Sequence, residues 1–470
     1  MSSNSQARTK LSAKTKLGYG IGQMGDSIGF NVFYFFFLFF LTDVIGINPA
    51  VAGSISLIAV IWDAVTDPII GHMSDNLRGP RGRRRPFMLG AMIPYGVVMF
   101  LMFNNINMAE GAKNVYYIVI SMLFWTFYTA YVIPYFALGA EITNDFDERT
   151  NLRVWASYFM YGAVMIASAA PPMIVSVSEN AGMTTMQGWR NVGLIFGVLT
   201  VLVIFICWRA TKGKELPAET VDAGAKEGIV KAYLDMFKLK PVRPLVASVL
   251  LWSMASSLMS GSLVYLMTHN LDYSASRQSG VMVFLSIVNM LWLPAITRMS
   301  EKFDKKKVYV YSMAISGIAM VAFRFIGFPM FALLLIEIVL FAFGNSTYWT
   351  VYYSMMYDIS ELDEFINGER REGAISALMS FGQKLGAAIA MWLTGQLLEL
   401  ASYGVAGMEA QASSMVMNIY TLIPGVVGIL AAAAAIAYPL TREKFAAITD
   451  ALQKKKAGEA YSTEAFEKLL

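Results

Sequence analysis

The chain has 470 residues, of which 56% are hydrophobic, 13% aromatic and only 15% charged, against about 25% charged in an average soluble domain; this excludes a soluble globular protein. A formal net charge of +4, with its basic residues spread over loops, gives no reason to expect nucleic acid as a partner. One cysteine, Cys207, and two histidines, His72 and His269, exclude a disulfide framework and any metal site of clustered thiolates and imidazoles.

Apolar runs of about 20 residues, the length that crosses a bilayer as helix, predict spans near 18–42, 50–74, 86–105, 115–140, 154–178 and 189–209. A second set follows near 244–269, 278–297, 308–326, 329–357, 373–400 and 415–439. The hydrophilic stretch from Thr211 to Arg243 cannot span. The expected organisation is therefore a tail over 1–17, a six-helix half over 18–209, a central loop over 210–243, a second half over 244–439 and a tail over 440–470. Lys and Arg are retained on the cytoplasmic side. Of 37 such residues, 32 fall in the two tails and the even-numbered loops; Lys113, Arg190, Arg277 and Arg324 remain for the other side, and Lys384 lies within a span. Both termini are expected in the cytoplasm, with no cleavable signal pattern. An all-α membrane protein of twelve helices in two halves of six resembles the major facilitator superfamily, in which substrate binds near the midplane between halves. The spans leave no room for a soluble catalytic domain, and neither a nucleotide-binding loop nor a nucleophile with its base is visible, so no enzyme and no cofactor are expected.

Polar residues within the spans then carry the argument. On helix one, Ser27, Asn31 and Tyr34 recur at i, i+4 and i+7, a stripe that lipid would not favour, with Asp26 beside it. Helix two carries Trp62-Asp63-Ala-Val-Thr66-Asp67-Pro68. Two carboxylates at i and i+4 share one helix face, at a cost of about 2.5–3.5 kcal/mol per charge inside the bilayer. That cost is tolerated where the pair serves a pathway: Asp63 and Asp67 can share a proton, or a Na⁺ whose oxygen ligands they supply with Thr66 or backbone carbonyls. After Gly71 comes Asp75, then the basic cluster Arg78, Arg81, Arg83, Arg84 and Arg85, a pattern that resembles the superfamily's gating loop. Glu301 to Lys307 is a degraded copy in the second half and supports an internal repeat.

On helix four, Tyr128, Tyr131 and Tyr135 present phenol edges at i, i+3 and i+7 before Pro134 bends the helix. Glu141 and Asp145 follow at its end and are assigned to the charged gate. Farther on, Glu337 is an intramembrane carboxylate that either serves the pathway or pairs with Arg324. Lys384 stands about a third of the way through its span between Gly382 and Gly386, and an ammonium so deep wants a carboxylate partner, Asp63 or Asp67.

Several motifs together resemble the glycoside-pentoside-hexuronide cation symporter family over nearly the whole membrane domain. They are Thr42-Asp43-Val-Ile-Gly, Trp62-Asp63-Ala-Val-Thr-Asp67-Pro68, Ile133-Pro134-Tyr135, Asp145-Phe-Asp-Glu148-Arg149, and Asp358-Ile-Ser-Glu-Leu-Asp363-Glu364-Phe365 with Arg370 and Glu372. The resemblance implies that Asp63 and Asp67 bind the coupling Na⁺, Li⁺ or H⁺, that Trp349 contacts sugar, and that Lys384 lies near both sugar and cation. It extends the gate to Arg149 and Arg370. It also implies a transporter of the bacterial inner membrane whose partners are the lipid bilayer and a small solute; a working monomer is the default expectation. The chain departs from the family at four solute positions, where Ser27, Val132, Phe136 and Ser157 stand instead of polar, charged or larger aromatic groups. A site built on hydrogen bonds to hydroxyls discriminates through its buried polar groups, so a different solute is expected. Sugar import by symport leads; a less polar or amphiphilic cargo on the same fold, and a solute sensor without transport, remain open.

Overall fold

The computed structural model describes residues 11–77, 82–106, 108–143, 146–214, 235–368 and 371–469, which are almost wholly helical. Helix α1 (Ala13–Val32) continues through π-helical segments Phe33–Phe37 and Phe40–Val44. It is followed by α2 (Pro49–Asn76), α3 (Arg85–Met102), α4 (Glu110–Glu141), α5 (Phe146–Asn180) and α6 (Thr185–Ala210). The second set is α7 (Val242–Tyr265, extended by the π-helical Leu266–Asn270), α8 (Ala275–Lys302), α9 (Lys305–Ile326), α10 (Phe331–Asn367) and α11 (Glu372–Leu400). Its last rod is α12 (Glu409–Met417) and α13 (Ile423–Ile436), joined by the π-helical Asn418–Leu422; α14 (Arg442–Ala457) closes the chain. Among the described residues, eleven helices are long and apolar enough to cross a membrane, and α1 with its phenylalanine-rich π segments completes the twelve.

Local chemistry sets the helix ends. Ser12 caps α1 by accepting from the Thr15 amide, and Asn48 caps α2 ahead of Pro49. Thr184 and Gln187 form a reciprocal capping box on α6. Helix α10 begins at Phe331, just past Gly327 (φ 70°) and Pro329, and ends at Gly368 (φ 77°). It runs ten residues beyond the expected end at 357, because hydropathy falls at Asp358 while backbone hydrogen bonding continues through a helix-compatible polar segment. Neither Pro68 nor Pro134 interrupts its helix.

The described residues form two units. One contains α1–α6 with Tyr273–Val283, where Ser279 donates to the Ala169 carbonyl at 2.7 Å; the other contains α7, α8 from Phe284 and α9–α14. Each has the same close seam between its third and sixth rods. A Cβ on Gly96 (α3) would sit 2.7 Å from the Gly197 carbonyl oxygen (α6), and one on Gly197 would sit 2.5 Å from that of Gly96. In the second unit, Gly317 (α9) and Gly425 (α13) oppose each other in the same way, 2.8 Å in both directions. Small residues let helices meet backbone to backbone where lipid supplies no hydrophobic drive. Gly197→Val should therefore lower stability by about 1–3 kcal/mol through overpacking, read as an earlier unfolding transition of the purified protein in detergent.

Candidate cation and solute site

Helix α2 packs along α4, and this contact builds the first candidate site. Asp63 and Thr129 are fully buried. The Thr129 hydroxyl lies 2.6 Å from Asp63 Oδ1 and 3.0 Å from Asp67 Oδ1, placed to donate to either. A hydroxyl has one proton. It satisfies one carboxylate at a time, and it brings the two acidic groups to one oxygen, an arrangement suited to a proton on a carboxyl or a cation among the oxygens. Thr66 donates to the Asp63 carbonyl at 3.0 Å, which leaves its lone pairs available. Pro68 has no amide hydrogen and cannot donate to the carbonyl of Ala64. Tyr34 is within electrostatic reach of both Asp63 and Asp67.

Thr129 escaped the sequence reading. Its signal was spacing: Thr126 and Thr129 at i and i+3 share a face of α4, and Thr126 accepts from the Trp62 indole at 2.8 Å while Thr129 serves the carboxylates. The three tyrosines take the face toward α1. Tyr128 donates to Asp26 Oδ1 at 2.6 Å, and Gln23 donates to Asp26 Oδ2 at 2.6 Å. Tyr131 donates to the Gly22 carbonyl at 2.5 Å and Tyr135 to that of Tyr19 at 3.0 Å. Both rings are fully buried, so Tyr131 is engaged in the α1–α4 seam rather than presented to a solute. The stripe on α1 is likewise partly closed: Ser27 is buried, and Asn31 donates back to the Ser27 carbonyl at 2.7 Å. The carboxylate of that helix, Asp26, is the polar group gathered by its neighbours. Phe136 is 39% exposed, and the Arg153 guanidinium lies 5.5 Å over its ring.

At the end of α4 a buried charge cluster forms. Arg83 Nη2 and Nε donate to Glu141 Oε1 at 2.6 and 3.0 Å, and Arg84 Nε donates to the same oxygen at 3.0 Å. Arg84 also donates to Ser74 at 2.7 Å. All three charged side chains are less than a tenth exposed. Asp145 and Arg370 lie outside the described residues, as do the side chains of Asp75 and Arg149. Glu148 binds the N-terminal segment, accepting from the Leu11 amide and from Lys16. Asp304, in the degraded repeat, caps α9 and accepts from the Arg442 amide.

In the second unit Trp349 is 42% exposed on α10 and Lys384 half-buried on α11. Of the two readings of Glu337, the pairing with Arg324 does not form. Glu337 is fully buried and accepts from Tyr420 at 2.7 Å, whereas Arg324 donates to Asn418 and Ser414. Tyr420 and Asn418 belong to the π-helical segment, whose altered register sequence periodicity does not show. Asp363 takes a two-pronged contact from Arg371 at 2.6 and 2.9 Å, and Asp358 accepts from Lys305 at 2.6 Å.

With this geometry in hand, comparison with known proteins is specific. Residues 18–442 match the family model described as MFS/sugar transport protein. An inner membrane symporter of Escherichia coli strain K12 is 25% identical, covering 95% of this chain and 96% of its own. A glucuronide carrier protein homolog of the same organism is 24% identical over 95% and 97%. The solved D-xylose-proton symporter aligns with a TM-score of 0.61 at 13% identity, covering 90% of this chain and 95% of that one, a likeness of fold.

Proposed function

The chain belongs to the MFS/sugar transport protein family, of the glycoside-pentoside-hexuronide cation symporter type, and from that premise we propose that it imports a glycoside or related small solute by symport with Na⁺ or H⁺. It is a multi-pass membrane transporter and not an enzyme. We assign it to the bacterial inner membrane, with both termini cytoplasmic and the monomer as the working unit. The observation that carries the coupling assignment is the single Thr129 hydroxyl set between two carboxylates. Asp63 and Asp67 hold the cation, Thr129 and Thr66 contribute neutral oxygens, and Tyr34 stands within their field. Solute recognition is assigned to Asp26, Tyr128 and Phe136 in the first unit, and to Trp349 and Lys384 in the second. Ser27, Asn31 and Tyr131 support that surface through backbone contacts. Arg83, Arg84 and Glu141 hold one conformation of the gate. The likeness to a glucuronide carrier protein homolog supports a sugar-like cargo, while the four departures at solute positions argue for a solute of its own.

The test is thermal stabilisation of purified protein by monosaccharides, disaccharides, uronates and lysolipids, each with and without Na⁺ and at two pH values, since a ligand stabilises by mass action. A sugar whose effect grows with the cation is the expected result. Stabilisation by lysolipids alone would replace the sugar with an amphiphile, and the absence of counterflow in proteoliposomes would leave a sensor. In the same assay Thr129→Val should weaken the cation response about tenfold or more, because a hydrogen bond to a charged group contributes about 1.5–3 kcal/mol.

A further inference from the structure

Three helices of the second unit each place an uncharged polar side chain at one level. Ser256 is the fifteenth residue of its span (Val242–Asn270), Asn289 the fifteenth of Ala275–Lys302 and Asn345 the fifteenth of Phe331–Asn367. The three meet. Ser256 donates to Asn345 Oδ1 at 3.0 Å, Asn345 Nδ2 donates to Asn289 Oδ1 at 2.9 Å, and Ser346 donates to Asn289 Oδ1 at 3.0 Å. Asn289 Nδ2 turns to the Leu285 carbonyl at 2.8 Å.

Helix-to-helix adhesion would seal such a network, since an unused polar group in hydrocarbon is costly. This one is not sealed. Ser256, Asn289 and Asn345 are each only half-buried. Each amide nitrogen carries two protons and uses one, and the Ser256 oxygen keeps its lone pairs, so two donors and at least one acceptor are uncommitted at mid-depth in an apolar unit. Along α10, Trp349 and Tyr353 follow Asn345 at i+4 and i+8 on the same face, 42% and 38% exposed. An amide surface that both donates and accepts, continued by exposed aromatic rings, matches a molecule with hydroxyls on its edge and C–H groups on its face. The cluster contains no charge.

We propose that Asn345, Asn289 and Ser256 form a subsite for the ring hydroxyls of an uncharged pyranoside, with Trp349 beneath its C–H face. The inference rests on the sugar-symporter reading and deepens it by naming a neutral ring as the cargo, recognised by amides of α8 and α10.

The probes are methyl glucopyranoside, methyl galactopyranoside, methyl xylopyranoside and their monodeoxy analogues, titrated by thermal stabilisation at fixed Na⁺. Asn345→Leu should raise the half-maximal concentration of the best pyranoside about tenfold while leaving the cation-dependent shift intact, the size of one lost hydrogen bond of about 1.4 kcal/mol. One deoxy analogue that binds wild type about tenfold worse than its parent should bind Asn345→Leu as well as the parent does, a coupling that a purely structural role would not produce. Ser256→Ala, which removes one hydroxyl and no volume to speak of, repeats the measurement if the leucine variant does not fold. Unchanged pyranoside affinity in both variants overturns the subsite and leaves the symporter reading standing. Wild type that responds to cation but to no pyranoside overturns the subsite and the sugar cargo together.

Discussion

Asp63→Asn should erase the dependence of solute affinity on the cation. In a coupled carrier the two ligands share a coupling free energy of about 1–3 kcal/mol, so saturating Na⁺ or H⁺ should tighten solute binding to wild type by about 5–150-fold. The asparagine keeps the volume and one oxygen of a side chain that is fully buried against Thr129. It removes the negative charge that is proposed to hold the cation beside Thr129. The expected factor is then close to one, measured as solute half-saturation at low and high cation. Concentrative uptake should fall to equilibration while counterflow persists, since exchange needs no net cation gradient. Retention of the full cation effect in Asp63→Asn and in Asp67→Asn would place the coupling site elsewhere.

Glu141→Gln should produce the largest loss of stability of any single change at the charged cluster. One carboxylate oxygen receives Arg83 and Arg84, all within a shell less than a tenth exposed. Glu141→Gln takes away the carboxylate that both guanidinium groups share, in a cluster of buried positive charges, and breaking a buried ion pair from one side costs about 3–5 kcal/mol. Unfolding of the variant in detergent, followed by loss of tryptophan fluorescence, should begin at markedly lower temperature. Arg83→Gln should cost less, because Arg84 still neutralises Glu141 and retains Ser74. Equal stability of wild type and Glu141→Gln would mean that water or the headgroup region screens the cluster.

The spans were legible because a bilayer imposes one length and one composition on every crossing, so twelve apolar runs appear without any knowledge of packing. Helix ends were less so. Helix α10 outlasts its apolar run by ten residues, since hydrogen bonding does not stop where hydropathy does. The charged candidates were legible too, because Asp63, Asp67 and Glu141 are improbable in an apolar context and stand out by identity alone. Neutral groups do not stand out. Thr129 and Asn345 are ordinary residues in the sequence, and their weight comes from what faces them: two carboxylates in one case, the side chains of two other helices in the other. Aromatic spacing also misled in part, since the period that puts Tyr128, Tyr131 and Tyr135 on one face does not say which helix receives it. The structure gives that face to α1, where Tyr131 and Tyr135 bind backbone carbonyls and only Tyr128 reaches a carboxylate. The sequence by itself thus determined what the membrane demands: number and place of the spans, and the carboxylates that must repay their burial. Tertiary structure alone decided which neutral oxygens and amides complete those sites, because a hydrogen bond depends on the distance between residues up to 89 positions apart in the chain, and periodicity within one helix contains no record of its neighbour.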